Sequence, residues 1–120
     1  MNILNQKENY RLSWPEVAVE TTVQVIGGKW KGIILYHLMS GELRFNQIRR
    51  LIPGITQRML TLQLRELERS GIINRRVYDE MQTRVGYSLT ELGRSLIPLI
   101  SMMQEWGERY RELMPDEESK

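Results

Sequence analysis

The chain has 120 residues, with 17 basic and 15 acidic side chains, a formal net charge of +2, one histidine and no cysteine. This length fits one domain whose single core leaves a modest stability margin, which dimerisation would increase by burying more surface. The lack of cysteine excludes disulfides, thiolate metal sites and thiol switches, and no apolar run reaches the roughly 18 to 20 residues that span a bilayer.

The first predicted helix begins with a capping box at Ser13-Trp14-Pro15-Glu16, where serine lies three positions before glutamate and proline occupies the first turn. It ends near Ile26, because Gly27-Gly28 is a strong stop signal. Val19 and Val23 recur at helical spacing with Ile26, which predicts that this helix packs through one face.

Two further helices are predicted before the middle of the chain. The second helix covers residues 29–39 and stops at Ser40-Gly41. Its expected buried residues are Trp30, Ile33, Ile34, Leu35 and Leu38. A short third helix over residues 44–51 must finish before Pro53, because the residue that precedes a proline is pushed out of the α region. Pro53-Gly54 then supplies a tight turn.

The most informative element is the helix predicted after this turn, with Thr56 as its N-cap and Gly71 in the C′ position. On a helical wheel of about 100° per residue, Leu60, Leu64 and Leu67 form one apolar stripe that we expect to be buried. The outward face carries Arg58, Thr61, Leu62, Arg65 and Arg69, and Gln57 lies in the first turn of the helix. Two helices joined by a tight turn form a helix-turn-helix pattern.

The spacing then changes from helical to alternating. Every second residue is apolar or basic over 73–77 and again over 85–89, which predicts a β-hairpin over residues 73–89 closed by the polar segment 79–83. Thr90 caps a final long helix, which Pro98 should bend from within. The apolar residues at helical spacing in this helix are Leu92, Leu96, Ile100, Met103, Trp106 and Tyr110.

Basic residues are concentrated in the middle of the chain. Residues 44–84 carry nine basic and four acidic side chains, a net charge of +5. Residues 1–43 carry four of each and are neutral, whereas residues 85–120 carry four basic and seven acidic side chains, a net charge of −3. This distribution indicates one surface for a polyanion.

These positions predict how the chain would contact DNA. The major groove of B-DNA admits one helix, and residues near the N-terminus of a recognition helix reach base edges. The predicted contacts of the helix over residues 56–70 are Thr56, Gln57, Arg58, Thr61 and Arg65. The predicted contacts to the DNA backbone are Arg44, Arg49 and Arg50. The predicted wing residues, over an adjacent minor groove or phosphate run, are Arg76, Gln82, Thr83 and Arg84, with Arg75 on the same hairpin.

No arrangement typical of catalysis or metal binding is present in the sequence. His37 is the only histidine and follows Tyr36 in an apolar helix, so we expect a core or boundary position rather than a ligand or a base. A zinc site and a histidine-assisted nucleophile therefore lack their usual parts, and Gly27-Gly28 lacks the lysine and hydroxyl continuation of a P-loop. We expect no enzyme, no cofactor and no bound metal, and the polar first residues favour a soluble, cytoplasmic protein.

The terminal helices carry more apolar surface than one small core requires, and methionine and aromatic residues on a terminal helix suit a dimer interface. The predicted interface residues are Val19, Val23, Met103, Trp106 and Tyr110. Twofold pairing would hold two recognition helices about 34 Å apart, which matches successive major grooves. Ordinary packing of the last helix over its own core is the alternative.

Five sequence blocks resemble, in order and at the expected spacing, those of the HxlR-type transcriptional regulators, a bacterial and archaeal winged-helix family related to the MarR-like proteins. The blocks are residues 25–30 (VIGGKW), 44–50 (RFNQIRR), 53–58 (PGITQR), 64–68 (LRELE) and 87–93 (YSLTELG). The resemblance implies a homodimeric DNA-binding regulator with its recognition helix at 56–70, its wing at 79–84 and terminal helices that form the dimer.

Many members of this family carry a cysteine just before the first helix, and some use it to sense electrophiles or oxidants. The aligned position is about Val17, so thiol sensing is excluded here. Any signal must be a non-covalent ligand, a partner or the abundance of the protein. An unidentified small-molecule effector therefore stays open as a partner.

The sequence as a whole predicts a mainly helical winged helix-turn-helix with a small β-hairpin. Its parts are a flexible segment over residues 1–12, a DNA-binding and dimerisation domain over 13–114 and an acidic tail over 115–120. We expect a dimeric sequence-specific regulator, and a repressor rather than an activator, because a compact dimer on an operator blocks polymerase without further parts. A nonspecific architectural DNA binder and a winged-helix module that binds protein stay open as alternatives.

Overall fold

The computed structural model describes residues 12–116, so residues 1–11 of the predicted N-terminal segment and 117–120 of the predicted tail lie outside the described residues. The helices are α1 (Trp14–Ile26), α2 (Lys31–Leu38), α3 (Phe45–Leu51), α4 (Gln57–Arg69), α5 (Glu91–Arg94) and α6 (Ile97–Leu113). The strands are β1 (Leu43–Arg44), β2 (Ile73–Val77) and β3 (Val85–Leu89). This order confirms the predicted winged helix-turn-helix. No helix within residues 12–116 combines the length and the apolar character needed to cross a bilayer.

Helix α1 begins at the predicted capping box but packs less than expected. The Ser13 N–H donates to the Glu16 carboxylate at 2.8 Å, and this bond helps to hold the pKa of Glu16 below its usual value. Val17 and Ile26 are the buried residues of the helix. The two valines expected to pack beside Ile26 are instead exposed, Val19 at 66% and Val23 at 59%.

The hydrophobic core lies between α2, α3, α4 and the sheet, with α6 packed across α2. Its most deeply buried side chains are Ile34, Leu35, Leu38, Ile48, Leu60, Leu64, Leu67 and Ile73. The predicted burial of the α4 leucine stripe is therefore confirmed. Since β2 packs against this same helix, one stripe of three leucines joins the helical layer to the sheet.

Helix α2 is shorter than predicted and buries a narrower face. Its buried residues lie on one side, so Ile33 and Tyr36 fall on the opposite side and are about 41% and 43% exposed. The expected burial of Ile33 is wrong for this reason, whereas Trp30 is partly buried as an N-cap residue rather than inside the helix. His37 is partly buried and packs edge-on against Tyr36, which agrees with the expected boundary position.

The sheet has three strands rather than the two of the predicted hairpin. Its antiparallel order is β1-β3-β2, with Leu43 opposite Tyr87 on the added edge. On the other side of β3, the register runs from Ile73 opposite Leu89 to the start of the wing loop. Because Arg44 is extended and belongs to β1, the third helix begins one residue later than predicted, at Phe45.

The C-terminal part forms two helices, and the prediction of one bent helix is wrong. Thr90 accepts a hydrogen bond from the Gly93 N–H at 2.9 Å and caps the short α5, and residues 95–96 separate it from α6. Gly93 lies so close to the residue before β2 that an added Cβ would overlap the carbonyl oxygen of Ile72. Pro98 lies in the first turn of α6, where the missing N–H removes no hydrogen bond, so it starts a helix.

Candidate nucleic-acid interface

Helix α4 is fixed at both ends by the caps that the sequence predicts. The Thr56 Oγ1 accepts a hydrogen bond from the Met59 N–H at 3.0 Å, which satisfies a free donor of the first turn. At the other end Gly71 has a φ of +79°, a left-handed conformation that glycine adopts without a Cβ clash. Local chemistry therefore sets where α4 begins and ends.

The turn before α4 holds it firmly against α3. Ile52 and Ile55 are buried on either side of Pro53-Gly54, and the Ile55 N–H donates to the Ile52 carbonyl at 3.3 Å. Helix α3 adds Ile48 to the same core. These apolar anchors make the two helices one unit, so the exposed faces of α3 and α4 keep a fixed relation to each other.

The outward face of α4 forms an open concave surface of about 540 Å³, which we call the α4 concavity. It is lined by Gln57, Arg58, Thr61, Leu62 and Arg65. The structure therefore brings four of the five predicted recognition residues together, while Thr56 serves as the cap beside them. Thr61 is partly buried and donates its hydroxyl to the Gln57 carbonyl at 2.9 Å, so its oxygen keeps its capacity to accept a hydrogen bond.

Glutamates on α4 could pair with its arginines, but Glu66 forms an ion pair with a lysine of α2 instead. Its carboxylate lies 2.7 Å from the Nζ of Lys31 on α2, and the hydrogen bond from Lys31 lowers the pKa of Glu66. Within residues 12–116, neither Arg58 nor Arg65 forms an ion pair. The guanidinium groups of the α4 concavity are consequently available to an external anion.

A second concave surface, of about 640 Å³, lies between α3 and the hairpin, and we call it the α3–wing groove. It is lined by Arg44, Phe45, Asn46, Gln47, Arg50, Thr83, Val85 and Tyr87. Two predicted backbone-contact residues, Arg44 and Arg50, thus meet the predicted wing residue Thr83. Arg49 lies outside this groove, in a shallower concavity with Asn46 and Arg50.

Sequence reasoning missed two amides of this groove, Asn46 and Gln47. The Gln47 Oε1 accepts a hydrogen bond from the Arg44 N–H at 2.8 Å, so Gln47 caps α3 as well as lining the groove. In the sequence, only one feature points to Asn46 and Gln47: they lie in the first turn of the helix that follows Arg44. This position indicates a groove residue only when the pairing of β1 with β3 is known, because that pairing brings the start of α3 beside the hairpin.

Asp79 holds the tip of the wing closed. It accepts hydrogen bonds from the backbone N–H and the hydroxyl of Thr83, at 2.9 and 2.6 Å, and these bonds lower the pKa of the Asp79 carboxyl. Gln82 takes a φ of +56° within this turn. Met81, which sequence reasoning did not single out, is 81% exposed at the same tip. The predicted wing residues Gln82 and Thr83 therefore lie on one ordered turn.

The two predicted arginines of the wing differ in position, because Arg76 lies on β2 and Arg84 lies in the loop just before β3. The Arg76 guanidinium lies 4.9 Å from the centre of the Tyr78 ring, a cation–π contact. The Tyr78 hydroxyl donates to the Glu42 carboxylate, which raises the pKa of Tyr78. Arg84 is exposed, and its carbonyl accepts a hydrogen bond from the Tyr78 N–H at 2.8 Å. Tyr78 thus contacts Arg76 through its ring, Arg84 through its backbone and Glu42 through its hydroxyl.

A further concave surface lies between α4 and the sheet. Arg75 of β2 lines it together with Thr61 and Arg65 of α4, and its volume is about 440 Å³. Its other lining residues are Phe45, Leu64, Glu68 and Tyr87. Arg75, which the sequence places on the hairpin, therefore lies beside Thr61 and Arg65 on the exposed side of α4.

The terminal helices present an apolar surface on the outside of the chain. Of the residues of α6, Ile100 is the buried one. The exposed apolar residues of this helix are Leu99, Met102, Met103, Trp106, Tyr110 and Leu113. The Trp106 and Tyr110 rings stack at 5.2 Å, yet Trp106 is 67% exposed. Packing over the core of the same chain therefore leaves much of this face exposed among the described residues. Leu92, also expected on that apolar face, is exposed on α5.

Comparisons with known proteins agree with this architecture. The HxlR-like helix-turn-helix family matches residues 25–115. The HTH-type transcriptional regulator YdeP of Bacillus subtilis (strain 168) is 63% identical over 94 residues, which cover 78% of this chain and 73% of YdeP. The regulator YybR of the same organism is 52% identical over 111 residues, covering 92% of this chain and 89% of YybR.

The solved structure of the redox regulator HypR in its reduced form matches with a TM-score of 0.77 and 58% sequence identity, covering 81% of this chain and 96% of HypR. The related proteins are transcriptional regulators and not enzymes. This chain accordingly belongs to the HxlR-like helix-turn-helix family of DNA-binding transcriptional regulators.

Proposed function

We propose that this protein is a homodimeric, sequence-specific repressor whose helix α4 reads a half-site in the DNA major groove. The observation that carries the proposal is the α4 concavity, where amide, hydroxyl and guanidinium groups converge on the exposed side of a helix anchored by buried leucines. One α-helix fits the major groove, and these are the groups that pair with base edges there.

Each residue of the concavity has a chemical role in this proposal. Arg58 binds guanine O6 and N7, and Gln57 binds adenine N6 and N7, because both side chains can form two parallel hydrogen bonds. Thr61 adds a contact through its hydroxyl oxygen, which can still accept a hydrogen bond, and Arg65 reaches a base or a phosphate one turn further along. Thr56, whose oxygen caps the helix, donates its hydroxyl to a phosphate at the N-terminus.

Residues beside the concavity position the protein without reading sequence. Arg44 and Arg50 in the α3–wing groove, and Arg49 next to it, bind phosphates. The proposed wing contacts, to the adjacent minor groove or its phosphates, are Arg76, Gln82, Thr83 and Arg84. Since Asp79 already orders the wing turn, contact through this turn sacrifices little conformational entropy.

Dimerisation is the second part of the proposal. Among residues 12–116, the apolar stripe of α6 with Met103, Trp106 and Tyr110 is exposed, as are Val19 and Val23 of α1. Pairing two such surfaces about a twofold axis removes them from water and makes residues 13–114 one DNA-binding and dimerisation unit. Two recognition helices held about 34 Å apart then read successive major grooves.

A dimer bound in this way represses by occupying the promoter. HypR is a redox regulator, but this chain has no cysteine and therefore does not respond through thiol chemistry. We propose that a non-covalent effector or the concentration of the protein sets how much of the operator is occupied.

The test begins with selection of bound duplexes from a randomised library. We expect the selected duplex to bind at least about 1,000-fold more tightly than a scrambled duplex at the same salt concentration. A ratio near one would mean a nonspecific architectural binder. The logarithm of the affinity should fall with the logarithm of salt with a slope of about −0.9 per neutralised phosphate, whereas no salt dependence would point to a protein-binding module.

The direction of regulation needs a separate measurement. The selected site is placed over a promoter, and transcription by purified polymerase is measured as the protein is added. We expect transcript to fall in proportion to occupancy of the site. A rise in transcript would make the protein an activator while leaving the DNA-binding proposal intact.

A further inference from the structure

One residue of the α4 concavity has no role in hydrogen bonding. Leu62 is 44% exposed and lines the same concave surface as Gln57, Arg58, Thr61 and Arg65. It lies one turn after Arg58 and three residues before Arg65, so guanidinium groups flank it on the exposed face. The core leucines of α4 lie on the opposite side and are 0 to 2% exposed, so Leu62 is not part of the hydrophobic core.

The surroundings of Leu62 restrict what can cover it. A second copy of this chain that brought the same face would set arginines against arginines, which is electrostatically unfavourable. A polyanion with an apolar group near its surface fits both the charge and the leucine. The C5-methyl of thymine is the apolar group that base edges present in the major groove.

We propose that Leu62 binds the C5-methyl group of a thymine, and that the half-site read by α4 contains this thymine as a fixed base. This inference rests on the proposed function, because it assumes that α4 enters the major groove. It adds an apolar specificity contact to the polar readout by Arg58 and Gln57. Leu62 thereby becomes a specificity-determining residue whose substitution changes sequence preference more than total charge.

The helix geometry locates the thymine relative to the other contacts. Four residues of an α-helix span about 6 Å, and base pairs rise by about 3.4 Å. The thymine read by Leu62 therefore lies within about two base-pair steps of the base read by Arg58. Burying one methyl group corresponds to about a fourfold change in affinity.

Replacement of thymine by deoxyuridine tests this contact, because uracil lacks only the methyl group. The probe is the duplex selected from the randomised library, with each thymine replaced in turn. We expect one replacement in each half-site to weaken binding of the unsubstituted protein about fourfold. Leu62→Ala should bind the thymine and deoxyuridine duplexes equally, and Leu62→Met should keep a preference for thymine, because methionine remains apolar at this position.

Leu92→Ala is the matched control, because Leu92 is 59% exposed on α5 and lines none of the four concave surfaces described above. It should retain the full thymine preference. Thermal unfolding of Leu62→Ala should match that of the unsubstituted protein, since an exposed leucine is removed.

The results separate this inference from the proposed function. A protein that enriches no sequence contradicts the proposed function itself. A selected site that binds with high specificity but contains no fixed thymine, or tolerates deoxyuridine at every position, overturns the Leu62 contact alone. The contact is equally overturned if Leu62→Ala keeps the fourfold discrimination.

Discussion

Helix α4 buries its apolar face, whereas the terminal helix α6 exposes most of its own. Helix α4 buries Leu60, Leu64 and Leu67 completely or nearly so and exposes its arginines. Helix α6 exposes the stripe that includes Trp106, and Ile100 is its buried residue. An apolar stripe at helical spacing is therefore buried in α4 and exposed in α6.

This difference separates folding from assembly. The face of α4 that we propose for DNA is complete within one chain, because its support comes from α2, α3 and β2. The apolar stripe of α6 is exposed among the described residues and gains its cover from a second copy in our proposal. Substitutions on the two helices should consequently change different properties, and four predictions test this contrast.

Trp106→Glu should have the largest effect, by separating the proposed dimer into monomers. A glutamate at this position would be buried without a partner in each half of the interface, at a cost of about 3 to 5 kcal/mol. The dissociation constant should rise at least about a hundredfold, which light scattering or sedimentation measures as a halved mass. Binding of a single half-site should remain.

Met81→Glu provides the control for this substitution. Met81 is also an exposed apolar residue, at 81%, but it lies on the wing rather than on a terminal helix. Its substitution should leave the mass unchanged. If Trp106→Glu and unsubstituted protein have the same mass, the interface lies elsewhere on the chain.

Leu67→Ala should lower the free energy of unfolding by about 2 to 5 kcal/mol, because Leu67 is fully buried and its truncation leaves a cavity. Met103→Ala on the exposed stripe should change it by less than about 1 kcal/mol in a monomeric background. Urea denaturation of both variants in the Trp106→Glu protein makes the comparison at fixed oligomeric state. Equal losses would show that α6 packs into the core as α4 does.

The sequence predicts α4 well because its determinants are local. Thr56 and Gly71 cap the helix, and a leucine stripe four and three residues apart gives its buried face. Its exposed residues can therefore be assigned from the sequence alone. The same reasoning finds the apolar stripe of α6 but does not say whether the chain itself covers it, since periodicity carries no information about the partner.

The missed features depend on contacts between distant parts of the chain. Strand β1 has two residues and no alternating pattern, and it exists because Leu43 pairs with Tyr87. The α3–wing groove follows from that pairing, which is why Asn46 was not identified. The division of the last helix is missed for another reason: helical spacing places Pro98 inside one long helix, whereas it lies in the first turn of α6.

Arg58→Ala and Arg50→Ala should divide the basic surface into reading and positioning parts. Arg58→Ala should weaken binding to the selected duplex by about 1 to 3 kcal/mol and leave binding to scrambled duplex nearly unchanged. Arg50→Ala should weaken both by similar amounts and reduce the salt slope by about one phosphate. Fluorescence anisotropy on the two duplexes measures both effects. Equal behaviour of the two variants would contradict the assignment of Arg58 to a base.

Lys31→Met should have the smallest effect, and its pH dependence identifies the cause. The ion pair between Lys31 and Glu66 ties α4 to α2, and it lowers the pKa of Glu66 from its usual value of 4.5. A carboxyl with a lowered pKa in the folded state adds stability above its usual pKa, and this stability is lost as the pH falls through the lowered value. At pH 7 the substitution should therefore destabilise the protein by about 0.2 to 1 kcal/mol, because the pair is partly exposed.

The difference in unfolding free energy between Lys31→Met and unsubstituted protein should shrink as the pH falls below 4.5, where Glu66 becomes protonated. Lys29→Met is the matched control, because the Lys29 ammonium lies 4.8 Å from the centre of the Trp30 ring and its cation–π contact involves no carboxylate. Its effect should stay constant over the same pH range. A Lys31→Met effect that persists in acid would mean that lysine supports α4 through the packing of its aliphatic stem rather than through Glu66.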